Sequence, residues 1–182
     1  VVTNAWHYAA LKQMEGIAGA LGKQDDVAFY ASESDVFKKR FIRSFFDVRK
    51  GYFTDGLAAD TDHASLHGNM FPLAFDLVPA GKKQNVVDFI QTRGMACSVY
   101  GSQFLMDALY EANDAEYALH MLTKTDDRSW YNMIRVGSTI SLEAWDNKYK
   151  PNQDWNHAWG AAPANIIPRR LMGVEPLTPG FR

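Results

Sequence analysis

The chain has 182 residues, the length of one domain or of a piece of a larger one. Its 19 basic and 21 acidic side chains leave a net charge of −2, which excludes a broad nucleic-acid-binding surface. With 47% hydrophobic and 13% aromatic residues and one cysteine, Cys97, the composition is globular and excludes an internal disulfide or a cysteine-built metal cluster.

No apolar run approaches the roughly 18 residues that a membrane-spanning helix needs. The opening Val1-Val2-Thr3-Asn4 reads as the interior of a longer sequence. The first expected helix is capped by Thr3 or Asn4 and runs to Leu21. Trp6, Ala10, Met14, Ile17 and Leu21 recur at helical spacing as its apolar stripe, and Gly22 ends it. A second helix is expected from Ser32, with Phe37, Phe41, Phe45 and Val48 on one face and Lys38, Lys39 and Arg43 turned away, stopped by Gly51. Residues Tyr52 to Asp62 form a loop. A third helix carries Leu66, Met70, Leu73 and Leu77. Pro72 lies inside it, which predicts a kink or a start nearer Asn69 than His63.

After the turn Pro79-Ala80-Gly81, helices are expected over Lys82–Thr92, over Ser98–Glu111 and from Asp114 through Met121 and Leu122. Asp126-Asp127 breaks the chain before one or two amphipathic turns at Trp130, Met133 and Ile134. The β-branched alternation at Thr139-Ile140-Ser141-Leu142 predicts a short extended segment near 138–143. A polar, Trp-rich loop (145–155) follows, then a helix from Asn156 to Ile167, then an irregular tail with Pro168, Pro176 and Pro179. Such elements make an all-α chain of antiparallel helical hairpins, in a bundle or a toroid.

Trp130, Trp145, Trp155 and Trp159 fall in one window with Glu143, Asp146, Asp154 and His157. Aromatic faces beside carboxylates suit sugars, and glycosidic cleavage needs carboxyl groups for proton transfer. A core tryptophan cluster ringed by solvated acids accounts for the same residues. His63 and His67 are four apart, but the run His-Ala-Ser-Leu-His lacks the glutamate of a zincin, so hydrogen bonding is expected of them and no metal site. No cofactor motif is present. Cys97 is expected to be a buried small residue, and His7 and His120 are expected on helix surfaces or in the core.

The run from Trp130 to Asp146, with Gly137-Ser138-Thr139 and then Glu143-Ala144-Trp145-Asp146, resembles the C-terminal catalytic motif of bacterial α-L-rhamnosidases. Asn156-His157-Ala158-Trp159-Gly160 resembles that family's Asn-His segment. Gly173-Val174-Glu175-Pro176 with Pro179-Gly180-Phe181 resembles its ending, and Met70 to Pro79 resembles its helix closing in Leu-Val-Pro. The resemblance covers nearly the whole chain. It implies helical hairpins forming about half of an (α/α)6 toroid, with residues 1–182 a single fragment from the C-terminal portion of the catalytic domain. It also implies inverting hydrolysis of terminal α-L-rhamnosides, with Glu143 the general base on water and His157 a sugar contact. Trp145, Asp146, Trp130, Asn156 and Trp159 are further substrate-binding candidates.

The family's general acid belongs to an Arg- and Trp-containing acidic motif that this chain lacks, so the isolated chain is expected to be inactive. Ser141-Leu142 replaces the Thr-Trp or Thr-Leu of many relatives. Self-association, or association with the other half of the toroid, is expected of a half-toroid with bare helix faces. No nucleic-acid or membrane partner is implied, and the resemblance implies a periplasmic or extracellular location. Two other readings fit the residues: another (α/α)6 carbohydrate enzyme, such as a lyase using His63, His67 or Tyr100, and a non-catalytic helical module that binds sugar or a partner through its aromatic groove.

Overall fold

The computed structural model of the protein describes residues 1–57 and 61–178. Residues 58–60 of the expected loop and the Pro179-Gly180-Phe181 ending therefore lie outside the described residues. The fold is all-α, with eight α-helices and one two-stranded ladder among the described residues. The chain divides into two compact units, Val1–Thr92 and Arg93–Arg182.

The first unit is built on the hairpin of α1 (Val2–Ala20) and α2 (Gln24–Phe45). Gly22, at φ 71°, makes the turn between them, a left-handed conformation that costs a glycine nothing. Thr3 and Asn4 lie inside α1, whose N-cap residue Val1 offers no side-chain hydrogen bond. Helix α2 starts eight residues before the expected Ser32. Asp25 and Asp26 occupy its first turn, where negative charge meets the positive end of the helix dipole. It ends at Phe45, because Phe46–Asp47 pairs antiparallel with Tyr52–Phe53 as strands β1 and β2. Asp47 Oδ1 accepts the Arg49 and Lys50 amides, which closes the turn between them.

The α1 stripe drawn from periodicity faces outward. Met14, Ile17 and Leu21 are 41%, 52% and 66% exposed, whereas Ala5, Tyr8, Ala9 and Ala18 are buried. Small side chains on that second face let neighbouring backbones approach closely. Trp6 still packs edge-on against Phe75, ring centroids 5.0 Å apart.

Helix α3 (His67–Ala74) contains Pro72 and begins nearer Asn69 than His63. Buried Asn69 bonds both the amide and the carbonyl of Phe53, which ties α3 to β2. Helix α4 (Lys83–Arg93) buries Val86, Val87, Phe89 and Ile90. His63 Nδ1 sits 2.5 Å from Asp55 Oδ2, and half-buried His67 has its proton affinity lowered by desolvation.

In the second unit, α5 (Gly101–Glu111) packs against α6 (Ala115–Thr123) and α8 (Ala162–Ile166), and α7 (Trp130–Arg135) contacts α6. Its core holds Leu105, Met106, Leu109, Met121, Leu142 and Ile166. The helix expected over 156–167 is instead three consecutive turns of different pitch. Ala158–Ala161 is 3₁₀, α8 follows, and Ile167–Leu171 is a π turn. Helix α8 carries Pro163 in its first turn, where a missing amide hydrogen costs little. The segment 138–143 joins no strand ladder. Its backbone bonds are Ser138 N to Met133 O at 3.0 Å, Glu143 N to Asp154 O at 3.1 Å and His157 N to Ser141 O at 2.9 Å.

Candidate functional site

The site is assembled around α7. Ser129 caps it by accepting the Asn132 amide at 3.0 Å. One turn later the buried Asn132 side chain donates to the Trp145 carbonyl at 2.9 Å and to Asp146 Oδ2 at 3.0 Å, and accepts from Arg135 Nε. This one amide fastens the start of the Trp-rich loop to the helix. Asp146 Oδ1 accepts the Lys148 amide at 3.1 Å. The Asn132 bond, chiefly, holds the Asp146 carboxyl below the usual range. Asp146 acts here as the pin of a turn.

The tryptophans divide into two kinds. Trp145 is 2% exposed and donates its indole N–H to the Cys97 carbonyl at 2.8 Å. Trp130 packs edge-on against it, centroids 5.1 Å apart, and donates to the Gly160 carbonyl at 2.8 Å. Trp145 thus forms a buried floor, with half-buried Trp130 crossed against it. Trp159, 46% exposed, stands open, with the His157 ring 4.4 Å and the Tyr100 ring 5.4 Å away, centroid to centroid. Trp155 is 43% exposed, and Asn156 is exposed.

Glu143 lies on the segment that runs over this floor, with 11% of its side chain exposed. Its Oε1 accepts from Lys150 Nζ, and its Oε2 accepts the Asp154 backbone amide at 3.1 Å. The Lys150 bond first, and the Asp154 amide second, hold its carboxyl below the usual range, so it is ionised at neutral pH. A carboxylate offers about four lone-pair directions. Two donors leave the others for water or a ligand. Gln153, 7% exposed, closes the same loop by accepting the Ala144 amide at 2.9 Å and donating to Asn147 at 2.8 Å.

His157 faces this segment. Ser141 Oγ donates to the His157 carbonyl at 2.7 Å, reciprocating the bond from His157 N to Ser141 O. His157 Nδ1 accepts the Trp159 amide at 3.2 Å, which leaves Nε2 to carry the proton of the neutral ring. Gly160 seals the contact. A Cβ there would stand 2.5 Å from Ser141 Cβ and 2.7 Å from the Leu142 carbonyl oxygen, closer than atoms tolerate. A cavity of about 450 Å³ opens beside this segment, between Trp130, Met133 and residues 138–141.

The structure thus sets Glu143 and His157 on segments locked to each other, with Trp159 beside His157. Trp145 is buried, and half-buried Trp130 lines the cavity beside this segment. Sequence reasoning missed Lys150 and Gln153, because their roles depend on the loop doubling back so that 154 meets 143. The available signal was charge: Lys148 and Lys150 are the two cations of the Trp-rich loop. Among the described residues no three histidine, cysteine or acidic side chains converge as metal ligands. Cys97 is buried, and desolvation pushes its thiol up to about 12.

A family model described as the bacterial alpha-L-rhamnosidase 6 hairpin glycosidase domain matches residues 1–171. No curated protein matches the chain. Among solved structures, the chain is similar to an α-L-rhamnosidase from Dictyoglumus thermophilum, with TM-score 0.82 and 22% identity over 97% of this chain and 20% of that one. It is also similar to a native α-L-rhamnosidase from Aspergillus terreus, with TM-score 0.79 and 19% identity over 97% of this chain and 21% of that one. An α-L-rhamnosidase from Streptomyces avermitilis complexed with L-rhamnose matches with TM-score 0.75 and 20% identity over 96% of this chain and 17% of that one. The chain therefore spans about a fifth of the length of the solved proteins it resembles.

Proposed function

The chain belongs to the bacterial α-L-rhamnosidase six-hairpin glycosidase family, and from that premise we propose that it carries the general-base side of an inverting α-L-rhamnosidase site. Glu143 takes a proton from a water molecule as that water's oxygen attacks the anomeric carbon of a terminal rhamnose. The bond from that carbon to the aglycone oxygen breaks, and the leaving oxygen receives its proton from a carboxylic acid contributed by residues outside this chain. Such pairs stand roughly 6.5–9.5 Å apart, so that the water fits between base and sugar.

The observation that carries this reading is the Glu143 carboxylate, ionised and fixed between the Lys150 ammonium and the Asp154 amide on the segment bonded to His157. A base must be unprotonated at working pH and must be held in place. The Lys150 contact has a cost: it lowers the proton affinity of the base it positions. His157 Nε2–H and the open face of Trp159 suit the hydroxyls and the C–H face of a sugar. Association with the other hairpins of a complete toroid is part of the proposal, and the exposed Met14, Ile17 and Leu21 on α1 support it.

The test is Glu143→Gln in the intact protein, assayed on an aryl α-L-rhamnoside with the first-formed anomer followed by NMR. Loss of turnover by roughly 10²–10⁴-fold, with inverted rhamnose from the parent protein, is expected. Near-parental turnover removes Glu143 from the role, and a retained anomer overturns the inverting mechanism.

A further inference from the structure

The second unit holds a cationic cavity that the reaction proposed above does not use. It measures about 500 Å³ and opens between residues 93–96 and the loop joining α6 to α7, against Arg93, Lys124, Asp126, Asp127, Arg128 and Tyr149. Arg128 is half-buried. Its guanidinium carbon lies 4.5 Å from the centroid of the Tyr149 ring, an attractive placement for a cation. Nη1 donates to the Met95 carbonyl at 3.4 Å. Nε and Nη2 have no acceptor among the described residues. Three of the five donors of the guanidinium fork are therefore open.

The acids around the cavity are already engaged. Asp126 Oδ2 lies 2.7 Å from Lys124 Nζ, and its Oδ1 accepts the Arg128 amide at 3.0 Å. Asp127 meets Arg135 at 3.0 Å through Oδ1 and meets Lys148 through Oδ2. Asp146, the other carboxylate that Arg135 and Lys148 face, accepts from the Asn132 side chain and the Lys148 amide. Four cations, Lys124, Arg128, Arg135 and Lys148, thus stand against three acids. Arg128 is the one of the four without an ion pair among the described residues, and Arg93 adds a further cation at the wall. The Lys124 side chain is 13% exposed, so a ligand that reaches it is drawn largely out of water, where charge-assisted bonds are stronger.

We propose that this cavity binds a phosphate group, free or as the monoester of a small molecule. The open fork of Arg128 takes two phosphate oxygens side by side. Lys124, joined to the Arg128 amide through Asp126, takes a third. A carboxylate has oxygens for the fork alone. The volume lies within the range of small-molecule sites, about 300–1,000 Å³, and leaves room for the organic part of an ester. Asp126 and Asp127 oppose the ligand's charge and set an upper limit on its affinity. Neither Arg128 nor Lys124 takes part in the hydrolysis proposed above.

The experiment titrates inorganic phosphate and, separately, glycerol 3-phosphate into the intact protein at neutral pH and low ionic strength, where screening is weak, with the ³¹P line width as readout. Saturable binding with a millimolar dissociation constant is expected. Arg128→Gln weakens it about tenfold or more. Arg128→Lys, which keeps the charge and loses the fork, weakens it too. Asp126→Asn keeps an acceptor for the Arg128 amide and removes a repelling charge, so it tightens binding by about twofold to fivefold, a gain that misfolding does not produce. Lys23→Gln, at an exposed cation of the α1–α2 turn, leaves binding within about twofold. Broadening that does not saturate, affinity unchanged in Arg128→Gln, or equal losses in Arg128→Gln and Lys23→Gln overturn the site. Acetate that competes as tightly as phosphate binds overturns the choice of phosphate. With the site upheld, tighter binding of glycerol 3-phosphate identifies a monoester as the ligand, and tighter binding of inorganic phosphate identifies the free ion.

Discussion

Lys150 sets its ammonium on Oε1 of Glu143 while the Asp154 amide holds Oε2, so the loop between them is closed on the one carboxylate that the family pattern singles out. The same contact orients the carboxylate and weakens it as a base. Lys150→Met separates the two effects. Loss of the ammonium raises the Glu143 pKa, so the acidic limb of kcat/KM moves to higher pH, and Lys150→Arg keeps it near its original place. A ¹³C titration of the Glu143 carboxyl reads the same change without substrate. An unmoved titration in Lys150→Met means the ammonium is not what depresses the carboxyl.

Acid sensitivity follows from the same depression. The folded-state pKa values of Glu143 and Asp146 lie below their ordinary ones, about 4.3 and 3.9. Their contribution to stability is complete above those ordinary values and is lost as pH falls through the folded ones. The urea midpoint should therefore be flat between about pH 6 and 5.5 on their account and fall below about pH 4. The double variant Glu143→Gln/Asp146→Asn should flatten that fall. Identical pH profiles for parent and double variant would show that other groups govern it.

Gly160→Ala forces a methyl into Ser141 and the Leu142 carbonyl. Overpacking of this kind costs about 1–3 kcal/mol, and its relief moves the 3₁₀ turn that carries Trp159 away from the Glu143 segment. Lower thermal stability is expected together with weakened sugar binding. A variant with unchanged melting temperature and unchanged binding would contradict the close approach.

How far the sequence discloses this arrangement depends on how local each feature is. Helices α4, α5 and α6 begin and end close to where their stripes predict, since each buries the face its periodicity marks. In α1 periodicity finds a face but not its cover: Met14, Ile17 and Leu21 step correctly yet lie exposed, while the alanines beside Tyr8 make the contact. The start of α2 is concealed because Gln24-Asp25-Asp26 reads as a polar linker, although two of the three are acids at a helix N-terminus. The 156–167 helix is misread because His157, an unobvious cap, starts a 3₁₀ turn. Residue order marks Glu143 and His157 as candidates, and the structure sets them on segments bonded to each other. Lys150 and Gln153 are not marked, because non-local closure of the loop creates their partners.

Asn132→Ala removes the side chain that joins α7 to the Trp145 carbonyl and Asp146 and that accepts from Arg135 one turn on. A buried hydrogen-bonding group deleted with its partners left behind costs about 2–3 kcal/mol, which lowers Tm by roughly 5–10 °C for a chain of this size. Calorimetry on parent and variant checks this. A shift under about 2 °C would mean that water replaces the amide at little cost.

Cys97 is predicted to resist thiol reagents. With its thiol pushed up to about 12 and the side chain 3% exposed, almost no thiolate exists at pH 8. Labelling by iodoacetamide should be negligible in the native protein and complete in denaturant. Rapid native labelling would require the core beneath Trp145 to open.

The crossed indoles of Trp130 and Trp145, at 82° between planes, carry an optical consequence. Two chromophores this near and this strongly inclined couple their excited states, and the coupling gives circular dichroism of opposite sign on either side of the absorption band. The doublet is an intrinsic gauge: a variant that keeps it keeps the two indoles in their crossed arrangement.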